Sequence, residues 1–200
     1  MNKKIAMYAS IINVIAVLSF ALFLLFGSNY GSYMASIFIS FSFVPMMSAY
    51  CYYSTVERKV SGYIAIAFSA IYSVFILAVY YAQITSVAFG ELNKMAAQII
   101  DYSKFGLFFN YDLLGYGIMA LATFFAGLTI KVKSKSDKIL KILLLIHGVF
   151  FISSFFMPLL GLFRSDMHGA DWIGIAVLEF WCLYFIPIGI LSFVHFNKKD

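Results

Sequence analysis

The chain reads as an all-α integral membrane protein with six transmembrane helices, and three observations carry that reading. Of its 200 residues 63% are hydrophobic and only 12% charged, and the mean hydropathy is +0.93. Soluble domains are nearer half apolar and a quarter charged, so this chain has too few polar groups to cover a wetted surface. The apolar runs reach about 20 residues, the length of helix that crosses a hydrocarbon layer roughly 30 Å thick. The ten-residue, period-2 alternation of a membrane barrel is missing. Residues 1–200 form a single polytopic domain in this reading.

A short basic start, Lys3 and Lys4, precedes the first run, about 5–26. That run is longer than a signal-peptide core and reads as a retained span. Asn13 lies within it, where an amide hydrogen-bonds a neighbouring helix. After the Gly27–Gly31 turn comes the second span, about 33–53, kinked by Pro45. Tyr50, Tyr52 and Tyr53 mark its interfacial end. Glu57, Arg58 and Lys59 then form a charged turn, followed by a third span, about 62–82.

Between Thr85 and Tyr111 the pattern changes. Phe89, Leu92, Met95, Ala96, Ile99 and Ile100 recur at helical spacing, with Glu91, Lys94, Gln98, Asp101 and Lys104 between them. This predicts an amphipathic helix, about 88–103, too short to span, lying in the interface or folded as a lid over a cavity. The fourth span, about 113–130, is rich in Gly, Ala and Thr; its small-xxx-small pairs Ala122/Ala126 and Thr123/Gly127 predict a central helix. Asp112 stands just before it, as an N-terminal cap or a ligand-facing carboxylate.

The stretch 131–141 carries five lysines. Between apolar spans it reads as a loop near anionic lipid heads, not as a nucleic-acid patch. A fifth span, about 139–160, holds His147 and Pro158. The sixth, about 172–196, opens on Trp172 and carries Glu179, Tyr184 and Pro187.

Six spans put both termini on one side. That side collects Lys3, Lys4, Arg58, Lys59, the five lysines of 131–141, Lys198 and Lys199, which is eleven of fourteen basic residues. The excess predicts cytoplasmic termini in a cell membrane, with the amphipathic segment outside. Twelve lysines against two arginines fit an AT-rich bacterial genome.

Glu179 is the one acidic residue deep in an apolar run. A carboxylate there costs about 2.5–3.5 kcal/mol on insertion scales, which makes it a functional candidate by default. His147 sits at similar depth on the preceding span, so a Glu179–His147 contact, direct or through Tyr184, is geometrically open. Asn13, Tyr184 and Asp112 complete the ligand-binding or proton-relay candidates.

Other chemistry finds little support. The chain has no P-loop, GxSxG or HExxH motif, so no catalytic residue is assigned. Asp166, His168 and Asp171 share a loop but lack a fourth metal ligand. No metal or other cofactor is expected. Cys51 and Cys182 read as buried hydrophobes.

The expected partners are the lipid bilayer, a small-molecule or lipid ligand and a further membrane protein, with no nucleic acid. The favoured reading is binding or transport of a small molecule, lipid or ion through an outward-facing cavity at Glu179. Two alternatives stay open: a non-enzymatic membrane partner, sensor or immunity-type subunit, and an intramembrane enzyme acting on a lipid-soluble substrate.

Overall fold

Six stretches of helix are long and apolar enough to cross a membrane: Asn2–Leu25, Asn29–Tyr52, Val56–Val87, Leu107–Thr129, Lys135–Leu159 and Trp172–Asn197. The computed structural model describes residues 1–90, 92–163 and 171–199, apart from the Asp171 side chain, and these contain no strand. The helices are α1 (Asn2–Leu25), α2 (Asn29–Tyr52), α3 (Lys59–Ala82), α4 (Lys94–Ile100), α5 (Leu107–Thr129), α6 (Lys135–His147), α7 (Phe150–Leu159) and α8 (Asp171–Asn197). The loop with Asp166 and His168 lies outside the described residues, as does Glu91. The protein is a six-span, all-α membrane protein.

The spans close a ring in chain order. α1 packs on α2 and α8, α3 on α2 and α5, and α5 on α6 and α7, while α6 closes onto α8. α2 and α5 also meet across the ring and are its two most buried spans. Small residues explain the position of α5. A Cβ on Gly127 would lie 3.1 Å from the Leu144 side chain, so the α5 and α6 backbones approach at a distance that glycine permits. Ala122 and Ala126, from the predicted central face, are fully buried. Ile152 on α7 and Leu183 on α8, by contrast, present bare apolar surface of the kind that faces lipid.

Four local departures from the expected elements have physical causes. The third span does not stop at 82 but runs on through a π-helical turn, Gln83–Val87. The expected helix over 88–103 is split. Asn93 caps α4 by accepting from the Ala96 amide at 2.9 Å, and Asp101 caps a separate 3-10 turn, Tyr102–Lys104, through the Ser103 amide.

The fourth span starts at Leu107, not 113, because the chain turns at Phe105 (φ 52°) and Gly106. A Cβ on Gly106 would meet the Gln98 carbonyl at 2.0 Å, so glycine lets the end of α4 press on the start of α5. Asp112 therefore lies inside α5, where it cannot be an N-terminal cap.

The fifth span is discontinuous. At Gly148 and Val149 the amides bond three residues back, to Leu145 and Ile146, and the chain separates α6 from α7.

Candidate functional site

Asp112 is the most deeply buried carboxylate among the described residues, with 2% of its surface exposed. It lies five residues beyond the start of α5, about 7–8 Å along the helix at 1.5 Å per residue. Its Oδ2 accepts from the Tyr102 hydroxyl at 3.3 Å. Its Oδ1 is buried and has no hydrogen-bonding partner in the protein. Tyr80 from α3 lies beside the same carboxyl, and Ser36 from α2 lies beside Tyr80 and Tyr116.

The surroundings are aromatic and polar at once. Tyr33, Tyr80 and Tyr102 pack ring on ring, with centroids 5.3–6.2 Å apart. Tyr116, one helical turn after Asp112, packs on Tyr72 at 5.9 Å and on Trp181 at 5.4 Å. The Tyr72 and Tyr116 hydroxyls and the Ser40 Oγ are buried without partners, like Asp112 Oδ1. Native interiors leave few such groups unpaired, since each costs about 1–3 kcal/mol and a charged one more. Among the described residues, four of the seven unpartnered buried side-chain atoms belong to this one cluster or the α2 turn beside it.

The amphipathic segment forms the cover. Gln83, on the π-helical turn, donates from Nε2 to the Ile100 carbonyl at 2.8 Å and accepts the Tyr102 amide on Oε1 at 3.0 Å. These two bonds hold the 3-10 turn in place, and that turn delivers Tyr102 to Asp112. Burial, reinforced by the Asp112 carboxyl, holds the Tyr102 phenol well above its ordinary range, so the phenol keeps its proton and donates.

The other candidates are distributed elsewhere. His147 is buried and fully satisfied: Nε2 accepts from Trp181 Nε1 at 3.0 Å, and Nδ1 meets Thr123 Oγ1 at 2.7 Å. Because Nε2 accepts, the neutral ring carries its proton on Nδ1 and donates to Thr123, whose hydroxyl in turn donates to the Ala120 carbonyl at 2.8 Å. Tyr184 stacks beside His147 at 6.0 Å and donates to the Leu143 carbonyl at 2.7 Å.

Glu179 is not brought to His147. It precedes Trp181 by two residues, which places it about 160° around α8 from the side that reaches the imidazole. It is half-buried, with Oε1 unpartnered. Asn13 binds α1 to α2, donating to Ser42 Oγ at 3.0 Å, the helix-to-helix role expected of an intramembrane amide. The two grooves described lie between α1 and α2 at the terminus-bearing end, and none of these candidates lines them.

Sequence reasoning missed one further pair. His195 Nδ1 meets Asp137 Oδ1 at 2.7 Å, with both side chains 6% exposed. Asp137 also accepts the Lys133 amide on Oδ2 at 3.1 Å, and its own amide bonds the Ser134 side chain. The signal was the Ser134-x-x-Asp137 capping pattern at the start of α6, with His195 at the end of a span on the same face.

The fold and this geometry define a six-helix membrane protein with a carboxylate enclosed by tyrosines under a short cover. Comparison with protein-family models, curated proteins and solved structures finds no match to this chain.

Proposed function

We propose that this membrane protein binds a proton or a small monovalent cation at Asp112, as a step in transport or in cation-dependent regulation. One observation carries the reading: a carboxylate almost wholly removed from solvent, one oxygen unpartnered, in a cluster of tyrosines where the Tyr72 and Tyr116 hydroxyls also lack partners. An isolated carboxylate in a medium of low dielectric must be matched by a proton or a counter-charge. Among the described residues no lysine, arginine or histidine bonds to Asp112. A lone carboxylate supplies one negative charge, which suits a proton or a singly charged ion, and such ions take oxygen ligands in channels and transporters.

The topology supports an access route. Asp112 is near the face opposite both termini, beneath the Tyr102 turn. The excess of basic residues on the terminal face supports placing that face in the cytoplasm of a bacterial cell, with the site opening outward. Release of the Gln83 clamp would free the cover and admit the ion. Glu179, half-buried on α8, is a carboxylate separate from this cluster.

Thermal unfolding of the purified protein in detergent tests the reading. Titration with sodium, potassium or protons raises the midpoint of the wild type and leaves that of Asp112→Asn unmoved. An identical response in both proteins removes the site.

A further inference from the structure

A groove of about 450 Å³ runs between α1 and α2 at the end of the bundle that carries the termini. Ile5, Val44, Pro45 and Ala49 form its apolar floor, and Asn2, Tyr52 and Tyr53 stand at its mouth. A second, smaller hollow shares those three mouth residues and adds Lys3, so the two adjoin. The volume falls within the roughly 300–1,000 Å³ of small-ligand clefts.

The mouth is positively charged. Lys3 lines it. Lys59 reaches back to the last carbonyls of α2, donating to Cys51 at 2.7 Å and Tyr52 at 3.0 Å. Lys199 lies 5.9 Å from the centre of the Tyr53 ring. Among the described residues two carboxylates are near. Glu57 is exposed on the adjoining 3-10 turn, and Asp137, which acts on Lys199, is already engaged by His195 and the Lys133 amide. Neither lines the groove.

An apolar trough ending in lysines and interfacial tyrosines matches an amphiphile with a hydrocarbon tail and an anionic head. We propose that the groove is a binding site for one anionic glycerophospholipid. Its acyl chain lies along Val44, Pro45 and Ala49, and its phosphate sits at the mouth between Lys3 and Lys199. Tyr52 and Tyr53 supply hydroxyls at headgroup depth. The site is independent of Asp112 and does not rest on the cation reading.

Native mass spectrometry of the purified full chain, exchanged into detergent with equimolar phosphatidylglycerol and phosphatidylcholine, reads the site directly. The expected result is one retained phosphatidylglycerol per chain, favoured about tenfold or more over phosphatidylcholine. The double variant Lys3→Gln/Lys199→Gln changes half-exposed charges only and should abolish that preference. Ser48→Phe, which fills the groove, should abolish retention of either lipid while the helix content by circular dichroism stays unchanged. Soluble glycerol phosphate in excess should not displace the bound lipid, since it lacks the tail. Equal retention of both lipids, a preference that survives the double variant, or displacement by glycerol phosphate overturns the proposal. Should Ser48→Phe fail to fold, the charge variant and the displacement experiment still decide it.

Discussion

The Tyr102 hydroxyl donates to Asp112 Oδ2 at 3.3 Å, joining a short turn outside the spans to a carboxylate inside one. This contact couples the cover to the site. Tyr102→Phe removes the one hydrogen bond that the Asp112 carboxylate accepts among the described residues. The expected cost is about 1–3 kcal/mol of stability, because the acceptor stays buried. Chemical denaturation of the detergent-solubilised protein measures it, and an unchanged midpoint would mean that the contact contributes nothing.

Gln83 holds the cover through one donated and one accepted bond. Gln83→Leu keeps the bulk and removes both. Hydrogen exchange of residues 94–104 should then rise while exchange in α2 and α5 stays slow, since the cover can open locally without the bundle unfolding. Protection that stays the same over 94–104 would show that packing, not Gln83, fixes the segment.

Trp181→Phe leaves the ring volume nearly filled but strips His147 Nε2 of its donor. The loss should be about 1–3 kcal/mol, and the double variant Trp181→Phe/His147→Phe should lose less than the sum of the two single variants. Additive losses would show that the two side chains do not cooperate. The cation response at Asp112 should persist in all three.

Asp137 and His195 tie the start of α6 to the end of α8, closing the ring at the terminus-bearing face. Removing one partner of a buried hydrogen bond to a carboxylate costs about 1–3 kcal/mol, because the other is left unsatisfied. Asp137→Ala and His195→Ala should each destabilise toward that range, and a double-mutant cycle should show coupling of 0.5 kcal/mol or more. Zero coupling would leave only the helix cap as the role of Asp137.

Glu179→Gln separates the two carboxylates. Since Glu179 points away from the Trp181–His147 side of α8 and touches none of the Asp112 cluster among the described contacts, the variant should retain the full cation response. Loss of the response would move the seat to Glu179.

Much of the fold was legible because the bilayer imposes a single rule on spanning segments: about 20 apolar residues, bonded internally. Gly127 and Ala122 also announced the central place of α5 through size alone. The breaks were harder to read. Gly148 in an apolar run does not distinguish a continuous span from a divided one, and Gly106 shows its meaning only when the Gln98 carbonyl is against it.

The site was half legible. Asp112 was visible as a carboxylate, but a boundary set at 113 turned an inward-facing residue into a cap. Its tyrosines come from α2, α3, α5 and the 3-10 turn, and no local pattern announces such an assembly. Glu179 drew attention by hydropathy, which records depth along a span but not direction around it. That His147 meets the Trp181 side of α8, about 160° from Glu179, is a tertiary fact.

The central claim is that the Asp112 carboxyl itself takes the proton or cation. Infrared difference spectroscopy of the purified protein, recorded on addition of cation or acid, observes carboxyl groups directly. The account predicts a carboxyl band that changes in the wild type and in Glu179→Gln and vanishes in Asp112→Asn. A band that persists in Asp112→Asn, or that vanishes in Glu179→Gln instead, contradicts it.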